Sequence, residues 1–257
     1  MQFSDYSLFQ ILLLSIVVFA GAIELGRWFG ARASVKGGGN VSTLEGSILG
    51  LVALMIGFTF AVALSRFEAR REGVLNEANA IGTAAFRARL LPPPYDRECL
   101  DLFREYVDLR LNIERNISSP AQMNAAVARS NAIQQALWLQ AKEVATKNNA
   151  MVPTGLFIQA LNEMSDNDEK RLVALITGVP NIVLIVLYAS AVIASAFAGY
   201  ASGLDAQRSR APVYAVIALF ITVMLLIQDL DRPNEGYILV NQRALQDMAA
   251  ALAVYER

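Results

Sequence analysis

Residues 45–91 join a membrane-grade segment to a charged helix with no helix breaker between them. The first part, GSILGLVALMIGFTFAVAL at 46–64, contains no ionisable side chain. It is long enough to cross roughly 30 Å of hydrocarbon. From Ser65 the chain reads SRFEARREGVLNEANAIGTAAFRARLL, where Phe67, Val74, Ala78, Ile81, Ala85 and Ala88 recur at helical steps, Arg71 standing in the same series. Gly73 and Gly82 weaken that helix without ending it. Pro92, Pro93 and Pro94 end it, because proline lacks a donor and excludes helical geometry on the residue before it. At about 1.5 Å per residue the element is on the order of 70 Å long, about twice the membrane core. The spacing therefore predicts a membrane span that continues as a stalk into a body outside the bilayer.

With 55% hydrophobic and 18% charged residues in 257, the chain is too apolar for an ordinary soluble domain. The excess lies in four blocks, at 8–29, 46–64, 172–200 and 212–227, which predict four transmembrane helices. A net charge of −1 argues against a nucleic-acid partner, which would call for a basic surface. The chain has no histidine and a single cysteine, Cys99, so imidazole acid–base chemistry, ordinary zinc sites and disulfides are largely excluded. Cys99 lacks a histidine base and reads as a half-buried helical residue. No enzyme is expected.

The first block has no Lys or Arg before it, so it reads as a retained span and not as a signal peptide. Glu24 and Arg27 lie three apart near its end and are placed to pair, with Trp28 as an interfacial anchor. A charge inside a span is also a candidate site. Residues 31–44, with Gly37, Gly38 and Gly39, read as a flexible connector, making 1–65 a membrane hairpin. The middle segment, 66–171, carries amphipathic helical patterns such as Leu100, Phe103, Val107 and Leu111, and no alternating strand pattern. The second hairpin, 172–228, contains Pro180, expected to kink its first helix, with a hinge as the competing reading. The end of the chain, 229–257, combines an acidic turn with an amphipathic stripe of Leu245, Met248, Leu252 and Tyr255.

The run MIGFTFAVALSRFEARRE, at 55–72, resembles the second transmembrane helix of the bestrophin anion channels. The matching positions are Gly57, Phe58, Arg66 and Phe67, followed by Asn79 and the basic-apolar stretch 87–91. The chain is similar, closer still, to a bacterial group of bestrophin-like membrane proteins that share RFEARR, NEANAIGTA, the LLP stop and the late DLDRP. The resemblance implies an all-α integral membrane protein in which four transmembrane helices carry a helical cytoplasmic domain. It further implies a ring homo-oligomer, a pentamer, in the bacterial inner membrane. Lys and Arg near the span ends are slightly more numerous on the side of the middle segment. With the resemblance added, both termini and the body are expected in the cytoplasm.

In the bestrophins the positions matching Gly50, Leu54 and Phe58 line a hydrophobic neck. A ring of apolar side chains about an axis resists wetting and acts as a gate. Phenylalanine also presents an electropositive ring edge to a dehydrated anion. Gly50 departs from a bulky neck residue, so the constriction would fall to Leu54 and Phe58. The competing reading is that this face only packs, since Gly50, Ala53, Gly57 and Ala61 have close-packing spacing. Arg66 and Arg70 would form a basic pore mouth that concentrates small inorganic anions, offset by Glu68, Glu72 and Glu77, or else meet lipid headgroups. Asn76 and Asn79 are candidate vestibule donors. DLDRPNEG, with Asp229, Asp231 and Glu235, looks like a shortened form of the calcium-binding turn of animal bestrophins; the alternative is a salt-bridged turn with no ion and no cofactor.

The expected function is an oligomeric channel that conducts ions, anions by resemblance, through a neck in the bilayer. Its first rival is a non-conducting membrane assembly or signalling protein whose helical body binds a partner. The second is a membrane enzyme relying on carboxylates such as Glu24 or Asp229.

Overall fold

The computed structural model describes residues 6–33, 38–116, 120–205, 209–233 and 236–255, and among them there is helix and no strand. The helices are α1 (Leu8–Arg32), α2 (Gly38–Ala88), α3 (Tyr95–Asn116), α4 (Pro120–Lys147), α5 (Leu156–Ile176), α6 (Asn181–Gly203), α7 (Ala211–Asp231) and α8 (Arg243–Val254). A π-type turn, Met151–Gly155, leads into α5. The chain divides into two compact units, Met1–Phe67 with Gly178–Leu239, and Glu68–Thr177 with Val240–Arg257.

The first unit holds α1, the first half of α2, α6 and α7. Among the described residues, four helical stretches are long and apolar enough to cross a membrane. The protein is a membrane protein with several apolar helices. α1 starts at a reciprocal cap, in which Gln10 N donates to Ser7 Oγ at 3.2 Å and Ser7 N donates to Gln10 Oε1 at 3.0 Å. α1 and α6 run parallel, with Ile23 against Gly199 and Arg27 against Gly203. Gly26 and Gly30 on α1 press against the backbone of Ala196 and Tyr200, and Gly199 and Gly203 on α6 against that of Ile23 and Arg27, so closely that a Cβ on any of the four would overlap the facing backbone. Lipid offers no hydrophobic drive between helices, so this close approach supplies dispersion contact in its place. Phe19, Val52, Ile56, Leu187, Ile217 and Met224 fill the core of the unit.

The second unit packs the second half of α2 with α3, α4, α5 and α8 around Ile81, Phe103, Tyr106, Leu137, Phe157 and Leu245. Its helices are also tied through main-chain oxygens. Arg87 donates to the Leu156 carbonyl at 2.8 Å, and Arg104 to the Leu252 carbonyl at 3.3 Å. The stripe of Leu245 and Leu252 brings α8 into this core.

Four boundaries differ from the sequence reading. Of the connector 31–44, the part from Gly38 onward is already helix, because glycines without a proline weaken a helix but do not forbid it. The third span begins at Asn181 and not at Leu172: α5 ends at Ile176, and Thr177 and Pro180 are extended at ψ 104° and 131°. Pro180 therefore stands in a break between two helices where a kink within one was expected, and Asp231 Oδ1 accepts the Val179 N–H at 2.8 Å within the break. α7 runs past residue 227 to Asp231, so Asp229 and Asp231 belong to its last turn. The final helix starts only at Arg243, well after the acidic turn of the 229–257 segment.

Candidate functional face of the second helix

The first half of α2 is two-sided. Glu45, Val52, Ile56, Thr59 and Ala63 are buried within the chain. At about 100° per residue these share one side, which places Leu54 and Phe58 on the opposite side. There Leu54 is 54% and Phe58 66% exposed. Beside them Gly46, Gly50 and Gly57 face open space, and a Cβ added at any of the three would meet nothing within 4 Å. This face thus combines a narrow row of bulky apolar side chains with a flank that has almost no side chain. Such a flank suits close approach of another helix.

The two basic candidates part company. Arg66 is exposed, whereas Arg70 is 2% exposed. The buried stripe of the second half of α2 runs through Val74, Ala78, Ile81, Ala85 and Ala88 as the sequence pattern has it, joined by Glu77, with Arg70 buried in place of Arg71. Arg70 is accordingly part of the body of the second unit. Asn76 and Asn79 are exposed.

At the end of α7, Asp229 is buried and organises the loop after it. Its Oδ1 accepts the Tyr237 N–H at 2.8 Å and its Oδ2 the Ile238 N–H at 3.1 Å. Gly236, at φ 122°, sits so close to that carboxylate that a side chain would collide with it. Asp231 turns to Val179, and Arg232 donates to the Tyr6 carbonyl. Glu235 lies outside the described residues. Among the described residues no three His, Cys, Asp or Glu side chains are grouped to hold a metal ion. In this arrangement Asp229 and Asp231 accept backbone N–H groups.

Glu24 and Arg27 turn to other helices. Glu24 Oε1 accepts from Tyr214 Oη at 2.7 Å and from Arg210 at 3.4 Å, and Arg27 donates to Ser202 Oγ at 3.1 Å. Trp28 lies beneath the Arg32 guanidinium at 3.8 Å. Cys99 is fully buried and not half-buried. Burial, reinforced by Glu98 and Asp96, pushes its thiol up to about 12, leaving no thiolate at neutral pH.

Sequence reasoning missed a buried charge centre in the second unit. Glu77 Oε1 meets Arg110 Nε at 2.8 Å, Glu77 Oε2 pairs with Arg171, and Arg110 pairs with Asp168. Tyr106 Oη donates to Glu77 at 3.0 Å and accepts from Arg110 at 2.8 Å, while Gln134 donates to Asp168 at 2.7 Å. Burial, with Glu77 next to it, raises the Tyr106 hydroxyl pKa and keeps it protonated. The signal was present in the spacing. Arg110 falls in step with Phe103 and Tyr106, and Asp168 and Arg171 in step with Leu161 and Met164, so each charge occupies a place on an apolar stripe.

The family described as Bestrophin-like domain matches residues 12–245. No curated protein matches the chain. Among solved structures, a bacterial bestrophin homologue from Klebsiella pneumoniae is similar over 96% of this chain and 96% of its own, at 16% identity and a TM-score of 0.65. A point variant of that homologue covers 96% of this chain and 98% of its own at 17% identity, with a TM-score of 0.70. At such identities the likeness concerns the fold.

Proposed function

Because the chain belongs to the Bestrophin-like family, we propose that it is an oligomeric ion channel that conducts anions through a hydrophobic neck formed by α2. The observation that carries this reading is the exposed pair Leu54 and Phe58, set opposite the packed side of α2 and flanked by glycines in open space. In this reading several copies surround the path. In a ring, the glycine flank admits the α2 of a neighbouring copy, and Leu54 and Phe58 turn to the shared axis. The five copies, the inner membrane and the cytoplasmic placement of termini and body follow from the family resemblance.

The mechanism is passive. Apolar rings at Leu54 and Phe58 set a dehydration barrier, and aromatic edges at Phe58 lower it for an anion relative to a cation. Gly50 leaves the level above them wide. Arg66, exposed beyond the apolar segment, raises the local anion concentration at the mouth. The acidic turn at Asp229 and Asp231 serves as a structural clasp in this reading, with no ion required.

An open apolar cleft of about 570 Å³ in the second unit, lined by Gln135, Trp138, Leu139, Ala141, Lys142 and Ile158, favours the alternative of a non-conducting assembly that binds a partner. Purified protein in liposomes separates the two. The channel reading expects halide flux that changes at least several-fold in Phe58→Ala or Leu54→Ala, since each removes an apolar ring from the barrier. Absence of halide flux from wild-type protein across salt, pH and calcium conditions contradicts it.

A further inference from the structure

The quartet Glu77, Arg110, Asp168 and Arg171 joins α2, α3 and α5 in the core of the second unit, with all four side chains almost fully buried. Its charges cancel. Burying four ions forfeits hydration on a scale comparable to what their mutual attraction returns, so apolar residues of similar volume would often hold the fold as well. Net stability is therefore a poor explanation for the quartet. The surroundings on α2 suggest a better one. The hydrophobic core takes Val74, Ala78, Ala80, Ile81, Ala84, Ala85 and Ala88 from this helix, and five of these seven are alanines. A face of methyl groups is nearly smooth, so interdigitation alone defines its rotation and axial position weakly. Glu77 supplies what the alanines lack. Its two oxygens reach arginines on two different helices, and its Oε1 also holds the Tyr106 hydroxyl. Turning α2 by one residue, about 100°, would strand the Glu77 carboxylate in the core, take Glu77 away from Arg171 and leave Arg110 with Asp168 alone.

We propose that the quartet is a positioning latch, which selects a single setting of the second half of α2 and so fixes where its exposed Asn76 and Asn79 point. The consequence for conduction rests on the channel reading above; the latch itself does not.

The test reads the setting directly. Spin labels at Asn79→Cys and Asn162→Cys, both exposed positions, report the separation of α2 from α5 in the full-length chain, diluted with unlabelled chain. The buried Cys99 thiol stays unlabelled. Wild-type protein is expected to give one narrow distance peak. The combined variant Glu77→Met, Arg110→Met, Asp168→Leu, Arg171→Met is expected to keep its size-exclusion profile and its thermal midpoint to within a few degrees, while the peak broadens or splits. A single narrow peak at the wild-type distance in that variant overturns the latch. Should the variant fail to assemble, the charge-neutral pair Glu77→Met, Arg171→Met decides: it removes the α2 member of the quartet and leaves Arg110 with Asp168, and a broadened peak supports the proposal whereas an unchanged one overturns it. Halide flux measured on the same proteins keeps the two ideas apart. A latch that behaves as expected in a wild-type protein without flux leaves the latch standing and removes the channel.

Discussion

Asp229 acts as a scaffold for the loop that follows α7. Both of its oxygens are taken by the N–H groups of Tyr237 and Ile238, and it ends a helix whose C-terminal partial charge disfavours a carboxylate. Those bonds offset the unfavourable placement and hold the chain on its way to α8. Asp229→Ala leaves two backbone donors in search of partners and is expected to destabilise the detergent-solubilised protein by about 1–3 kcal/mol. Thermal-shift size exclusion checks this, and the loss should be the same with calcium or with a chelator. A loss seen only with calcium present would instead assign the turn to the ion. The quartet arginines carry the complementary lesson. Charge is legible in a sequence, but burial is not, and a charge on an apolar stripe is the feature that reveals it.

At the scale of elements, glycine has two opposite uses in the membrane unit. On α1 and α6, Gly26, Gly30, Gly199 and Gly203 are pressed against backbone, whereas on α2, Gly46, Gly50 and Gly57 face nothing within the chain. Gly199→Val must push α1 and α6 apart and is expected to cost roughly 3 kcal/mol or to abolish the folded protein. Gly57→Ala has room inside one chain, so it should leave thermal unfolding of isolated protomers unchanged and act on assembly alone. Size-exclusion profiles of the two variants in mild and harsh detergent distinguish these outcomes. The helices themselves were readable, since apolar blocks and the triple proline impose spans and a stop by composition. Their edges were less so. Pro180 looked like a kink because the pattern continued across it, yet Asp231, about fifty residues later, accepts the Val179 N–H and holds the break open. A partner that distant leaves no local trace. The stripe of α2 was likewise drawn through Arg71 when Arg70 is the buried one, because near a charged cluster a 3.6-residue period fits either register.

For the whole molecule, the physical problem is what a membrane does with an apolar face that its own chain leaves uncovered. Bulky side chains on α1, such as Phe9 and Val17, are exposed as lipid-facing residues would be. Leu54 and Phe58 on α2 are as exposed, but they lie beside a glycine flank that lipid chains would fill poorly and a second copy would fill well. In the proposed channel, self-association through that flank would turn a greasy helix into a gate shared by several copies. The resemblance to bestrophins was legible from GF…RF and RFEARR; the two-sidedness of α2 needed the fold. The most direct test is a single-particle image of the purified assembly at a resolution that places side chains. The account predicts several copies about one axis, with Phe58 and Leu54 of every α2 lining the narrowest part of the path. A lone protomer, or a ring in which these two side chains turn outward to lipid, would contradict it.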